Sequence, residues 1–351
     1  MKIFLLINTL KFGGAERQVV NDSLLLAEEG VEVAILYYEP GELVKAVGNN
    51  KVRLIQLSGT TFPARVWSIY QILKKEKPDY LFAHMFWAQK ASPLPTLLTN
   101  TRLIFFEHGL GLWKRWYHIL ITKFASRFAE KIITVSRAKK KIKIEREGFS
   151  AKKIRVIPNS FNPANDSQNK VDRQNNVYII GFAGRFNAVK QLDLLIDVAM
   201  ILREKIDEFC FCLLGDGNTR KYLEEMVRKN DLEKYFELPG YVSNIQEHLK
   251  DFDAFVLPSK REDLSVALLE ASAAGLPCVA FDVGGNKEII LDNKTGFIIK
   301  PFDVKRFAEK LILLRENDQL RQEMSKEAQE YINKEFSKGR RLEKIKEIIN
   351  L

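Results

Sequence analysis

Apolar residues follow two alternating rhythms along this chain. Short runs rich in Ile, Val, Leu and Phe recur at 2–8, 31–38, 52–57, 80–84, 102–108, 131–136 and 154–158, then again at 179–183, 209–214, 236–238, 254–258, 278–281 and 296–299. Longer amphipathic stretches with helical spacing lie between them. Short apolar runs bounded by turn residues predict strands buried on both faces, and their alternation with helices predicts βα units around parallel sheets. A polar, turn-rich segment at 162–176 separates the two series and reads as an interdomain connection. From about Pro301 the pattern is helical, with a break near 336–339. The fold class expected is α/β, two doubly wound Rossmann-like domains in tandem. Their expected bounds are 1–165 and 177–335, with a linker at 166–176 and a last helix at 336–351.

Composition agrees with two ordinary globular domains. The 351 residues are 46% apolar and 28% charged, which excludes a disordered or fibrous chain. Cys210, Cys212 and Cys278 lie in apolar runs without metal-ligand spacing and read as core residues of a reducing compartment. The uninterrupted apolar run before Asn8 is only five residues long, short of a signal-peptide core, and no run approaches the ~18–20 of a membrane-spanning helix. The expectation is a cytoplasmic protein, free or peripheral at the inner face of the plasma membrane.

Charge changes the picture. Of the net +10, residues 1–175 carry 28 basic and 15 acidic side chains, whereas 176–351 carry 27 and 30. The surplus concentrates further between Leu110 and Arg155, with 14 basic and three acidic residues. That segment interleaves Trp113, Lys114, Arg115 and Trp116 with Lys139, Lys140, Lys141 and Lys143, a combination suited to an anionic membrane surface. A solvated helix face is the plainer explanation. Nucleic acid is the competing anion, but no RNP, helix-turn-helix or zinc-finger pattern accompanies the charge.

Ligands of open α/β sheets bind beyond the carboxyl ends of the strands. In the first half those positions hold Gly13-Gly14, His84, His108, Ser136 and Asn159. In the second they hold Gly184-Arg185 with Lys190, Gly215-Asp216-Gly217, Ser259 leading to Glu262, and Gly284-Gly285 with Glu288. Arg185 and Lys190 suit a diphosphate, or are two solvated cations on a tight turn. Glu262 and Glu270 flank a predicted helix start at 264, whose amides at Leu264, Ser265 and Val266 suit phosphate. Acidic residues complementing a helix dipole explain Glu262 equally, but not Glu270 deep among leucines. His108 is either an acid/base or hydrogen-bonding group or an incidental loop histidine. No Walker loop or GxGxxG follows either opening strand, so nicotinamide chemistry lacks its usual support.

Taken in order, Gly-Gly-Ala-Glu-Arg (13–17), Glu-His-Gly (107–109), Val-Ser (135–136), Val-Ile-Pro-Asn (156–159), Gly-Arg…Lys (184–190), Gly-Asp-Gly (215–217), Pro-Ser-x-x-Glu-x7-Glu-Ala (258–271) and Gly-Gly-x-x-Glu (284–288) resemble family-four retaining glycosyltransferases of the GT-B type over about 1–300. The resemblance implies two Rossmann-like domains facing a cleft, with the terminal helix crossing back to the first. It implies a nucleoside-diphosphate sugar as substrate of the second domain, with no cofactor or metal, and the donor expected is a UDP-sugar. Arg185 and Lys190 would hold the diphosphate, Glu270 the ribose and Glu262 the donor sugar, with Leu264, Ser265 and Val266 lining the phosphates. His108 would face the transferred sugar, and Gly14 would admit donor and acceptor. The first domain would bind the acceptor, and its basic, aromatic segment makes a lipid-linked or cell-surface glycan the acceptor expected. Asp263, Ser160 and Gln191 replace glycines common in the family. Other readings are a soluble transferase acting on a small sugar or polysaccharide, a GT-B-shaped sugar-nucleotide epimerase, and a non-enzymatic sugar-binding protein.

Overall fold

The structure is a computed structural model describing residues 1–11, 13–47, 51–161, 177–242 and 244–351. The connection expected at 162–176 lies outside the described residues. The chain divides into two compact units, Met1–Asn159 with Lys338–Leu351, and Ser160–Ser337. The first unit thus ends six residues before the expected boundary, and the last helix starts at Lys338 rather than 336.

The first unit is built on seven parallel strands: β1 (Lys2–Leu6), β2 (Glu32–Tyr37), β3 (Val52–Gln56), β4 (Tyr80–His84), β5 (Arg102–Glu107), β6 (Lys131–Thr134) and β7 (Ile154–Val156). Their order is β3-β2-β1-β4-β5-β6-β7. Alternation sorts each strand between two cores: Ile3, Leu5 and Ile7 face one side, and Phe4 and Leu6 the other. Burial on both faces is why these strands read as unbroken apolar runs. The second unit has β8 (Tyr178–Ala183), β9 (Phe209–Leu214), β10 (Phe236–Gly240), β11 (Ala254–Leu257), β12 (Cys278–Phe281) and β13 (Gly296–Ile299), ordered β10-β9-β8-β11-β12-β13 and all parallel. Strand order reverses between β1 and β4 in one unit and between β8 and β11 in the other. These are the topological switch points where such sheets bind ligands. The three cysteines are buried, as strand-core residues.

The helix Lys338–Ile349 belongs to the first unit, where Ile345 and Ile349 join its core and a buried arginine ties the helix down. Arg341 forks onto Asp22 at 2.6 and 2.7 Å and also donates to the carbonyls of Ile157 and Pro158. Tyr80 adds a hydroxyl bond to the Ile349 carbonyl at 3.2 Å, and Lys346 pairs with Glu29. A guanidinium with every face occupied is the residue type suited to such a buried junction. Among the described residues, no helix is long and apolar enough to cross a membrane.

Candidate functional site

Four strand-end loops of the second unit interlock. After β8, the segment from Gly184 to Lys190 carries the two expected cations, Arg185 exposed and Lys190 largely buried. The amide of Phe186 donates to the Asp216 carbonyl at 2.9 Å, bringing the loop after β9 alongside. A Cβ on Gly215 would lie 1.9 Å from the Gly184 carbonyl oxygen, so only glycine permits that approach. Across the switch point, the Lys260 amide donates to the Val189 carbonyl at 2.9 Å. The fourth loop is locked as tightly: a Cβ on Gly284 (φ +55°) would overlap the Glu262 carbonyl, and the Gly285 amide donates to the Asp263 carbonyl at 2.7 Å.

Within this frame Lys190 and Glu262 form an ion pair at 2.6 Å, both largely buried. Two residues 72 apart in sequence are thus preset face to face. Ser259, three residues before Glu262, is fully buried, and its hydroxyl has no partner among the described residues. Gln191 takes the left-handed conformation (φ +48°), which costs a side-chain-bearing residue ~1–2 kcal/mol and suits glycine. This accounts physically for the glycine common at that position.

The helix after β11 differs from expectation. It spans Val266–Ala273, and Ser265 caps it by accepting from the Leu268 amide at 3.3 Å. Starting two residues late, it leaves Glu262 in the preceding loop and only Glu270 on the helix. Leu264 and Ser265 are buried at the loop–helix junction, and Glu270 is buried inside the second turn.

In the first unit, Gly14 is the first residue of the helix Gly14–Glu28. His108, at the end of β5, lies 3.0 Å from His84 at the end of β4, ring nitrogen to ring nitrogen, and the rings stack. His84 Nε2 is buried without a partner among the described residues. A bare acceptor is cheaper to bury than an orphan N–H, so the proton belongs on His84 Nδ1, which donates to His108 Nε2 and leaves His108 protonated at Nδ1. Burial, then the charge of Arg341, holds the His108 pKa down at about 4, against the opposing charges of Asp22 and Glu107. Burial pushes His84 well below the usual histidine range too. Both rings are neutral near pH 7. The unfolded chain, titrating near 6.5, binds more protons than the folded one below that pH. Stability is therefore expected to be full above pH ~6.5 and to fall toward pH 5, by up to ~1.4 kcal/mol per pH unit for each histidine. Denaturant unfolding midpoints from pH 7.5 to 5 check this; a flat profile would contradict it.

The expected basic patch is only partly a surface. Trp113, Arg115, Trp116 and Lys141 are exposed and Lys140 half-exposed, but Lys114, Lys139 and Lys143 are buried, the last two fully. The correction has a clear cause. Lys143 bridges Glu107 at 2.9 Å and Glu147 at 2.8 Å, Lys114 reaches Glu107 at 3.1 Å, and Lys139 reaches Glu147 at 3.5 Å. Lys139 also donates to the Leu110 carbonyl at 2.7 Å. Burial opposes the charge on Glu107, but Lys143, Lys114 and Lys139 outweigh it and hold its carboxyl well below the usual range. Glu107 immediately precedes His108, so this network anchors the loop that carries the histidine. Sequence reading missed Glu107 and Glu147 as anchors; the one available signal was an acidic residue closing the apolar strand 102–107. Arg341 and Asp22, 319 positions apart, gave none.

Helices Met85–Ala91, Pro93–Thr99 and Trp116–Ala125 leave large apolar side chains exposed, among them Trp87, Leu97, Leu98, Trp116, Leu120 and Phe124. Among the described residues, no group of three or more His, Cys, Asp or Glu side chains is placed to hold a metal ion.

Residues 12–165 match the Glycosyltransferase Family 4 domain, and residues 164–331 match Glycosyl transferases group 1. An Escherichia coli UDP-Gal:alpha-D-GlcNAc-diphosphoundecaprenol alpha-1,3-galactosyltransferase is 26% identical over 95% of this chain and 93% of its own length. A Staphylococcus aureus poly(ribitol-phosphate) alpha-N-acetylglucosaminyltransferase is 32% identical over 49% of this chain, which covers 35% of that protein. The crystal structure of Anabaena Alr3699/HepE in complex with UDP superposes with a TM-score of 0.90 at 20% identity, over the whole of both chains. Two consecutive family domains, two parallel Rossmann-like sheets and the interlocked strand-end loops agree: the chain belongs to the group 1 glycosyltransferases and has the GT-B fold.

Proposed function

We propose that the protein moves a sugar from a UDP-sugar to a lipid-linked or cell-surface glycan acceptor at the cytoplasmic face of a membrane, which it touches peripherally. The observation that carries the donor half is the Lys190–Glu262 pair set within four interlocked loops at the switch point of the second sheet. In this reading Arg185 and Lys190 neutralise the diphosphate, and Lys190 exchanges its carboxylate partner for a phosphate oxygen when donor binds. Charge placed where the leaving diphosphate develops its own lowers the barrier to departure, and the proposal needs no metal. Glu262, released from Lys190, accepts hydroxyls of the donor sugar; Glu270 accepts those of the ribose; Leu264, Ser265 and Val266 line the phosphates. Gly14 and neutral His108 serve the sugar in transfer, His108 as hydrogen-bond donor through Nδ1.

For the acceptor, support comes from the first unit. It exposes Trp, Leu and Phe side chains as well as the cations Arg115, Lys123, Arg127 and Lys141, a mixture suited to an anionic lipid surface. The diphosphoundecaprenol named for the E. coli relative and the UDP bound to the Anabaena protein are of the same chemical classes. The test is incubation with labelled UDP-, GDP-, ADP- and dTDP-sugars and a membrane lipid extract. Label from a UDP-sugar is expected in the organic phase; label that stays aqueous with every donor would overturn the lipid acceptor.

A further inference from the structure

The two histidines of the first unit differ in what can reach them. His84 ends β4 with no exposed surface, whereas His108, just past β5, keeps part of its ring open. A ligand can touch His108 but not His84, so any part His84 plays in transfer passes through its neighbour. The His84 ring is firmly held. It stacks on Phe106 at 4.7 Å between centroids and lies within 20° of parallel to His108, with the two ring nitrogens 3.0 Å apart. Its backbone is fixed too: Met85, the next residue, turns the chain from strand to helix at φ +67°, a costly conformation that persists only where the surroundings impose it. One helical turn further, fully buried Gln89 donates to the Phe106 carbonyl at 3.0 Å. The helix Met85–Ala91 therefore clamps the strand end from which His108 departs.

This clamp has a chemical consequence. With the proton on His84 Nδ1, His108 Nε2 is an acceptor and its own proton sits on Nδ1. A neutral imidazole free in water prefers the opposite tautomer, with the proton on Nε2. The form that lets His108 donate through Nδ1 is thus imposed from behind. Among the described residues His108 makes no other hydrogen bond, so without His84 its ring could turn and present either nitrogen. A donor already protonated and already oriented needs no reorganisation as charge develops in the transition state. Burial keeps His84 itself neutral, which preserves the bond near pH 7.

We propose that His84 is a positioning residue for sugar transfer, fixing the tautomer and the plane of His108 so that Nδ1–H meets the sugar. The inference rests on the place given to His108 above, and two readouts separate its failure from the failure of that reading. The first needs no substrate. The chain has four histidines, so two-bond proton–nitrogen NMR spectra of the full chain labelled with nitrogen-15 histidine resolve each ring, and His108→Phe identifies the His108 signals. Wild type is expected to show His108 as the Nδ1–H form alone, and His84→Leu a mixture of both tautomers. His84→Asn, whose amide donates from the place of Nδ1, is expected to restore the single form. The second readout is kcat with the UDP-sugar that proves active in the panel above. His84→Leu is expected to lose about tenfold or more while the Kd for UDP stays unchanged, and His84→Asn to recover most of the loss. A role in packing alone predicts the reverse order, because leucine suits a buried apolar site better than an amide does. Nε2–H on His108 in wild type, a single Nδ1–H form in His84→Leu, or a kcat in His84→Leu no lower than in His84→Asn would overturn the positioning role. Wild-type transfer by His108→Phe would instead overturn the place given to His108.

Discussion

Glu147→Gln is expected to lower stability by about 3–5 kcal/mol, and Lys143→Met by distinctly less. The ordering follows from counting charges in the buried network. Wild type places three ammonium groups, those of Lys114, Lys139 and Lys143, against the carboxylates of Glu107 and Glu147. Each buried ion costs several kcal/mol of hydration, recovered only through close partners. Removing Glu147 leaves three cations on one carboxylate; removing Lys143 loses the two shortest contacts but balances two cations with two carboxylates. Methionine also keeps apolar bulk near the Phe149 ring, over which the Lys143 ammonium lies at 3.6 Å. Thermal unfolding measures both: a Tm loss on the order of 10 °C is expected for Glu147→Gln. A change within ~0.5 kcal/mol for Glu147→Gln, or the reverse order, would mean that the network does not anchor the loop before His108.

That network also marks where sequence and structure part. Strands were legible because parallel strands buried on both faces are written as continuous apolar runs: Phe4-Leu5-Leu6 and Ala254-Phe255-Val256-Leu257 need no tertiary information. The strand-end loops were legible for a related reason, since Gly215, Gly284 and their polar neighbours interrupt those runs at fixed places. Lysines carry no such signature. Lys139 and Lys143 look solvated in the run 139–143 until Glu107, 36 positions away from Lys143, is folded over them. Local capping escaped as well: Ser265 as cap moves the helix start past 264 and puts Glu262 in a loop, where Lys190 reaches it. What sequence spacing transmits is periodicity along one element; long-range pairing of single polar residues is set by topology.

The second large effect concerns the donor site. Arg185→Ala and Lys190→Ala are each expected to reduce kcat for sugar transfer by about 10²–10³, the loss typical when one group that stabilises charge in the transition state is removed. Lys190→Ala carries an added consequence, because it leaves the largely buried Glu262 carboxylate without its 2.6 Å partner. Repulsion between that carboxylate and the incoming diphosphate should make its donor KM rise as well, whereas Arg185, exposed on its loop, is expected to act mainly on kcat. Lys190→Arg is expected to restore part of the loss by keeping the charge.

Calorimetric titration of UDP in EDTA, on the wild-type chain and on Lys190→Ala, tests the assignment of the diphosphate site most directly. Saturable binding to wild type, weakened at least tenfold by Lys190→Ala, is the expected result. No binding to wild type, or equal binding to both, would contradict the assignment of the second sheet's switch point to the donor.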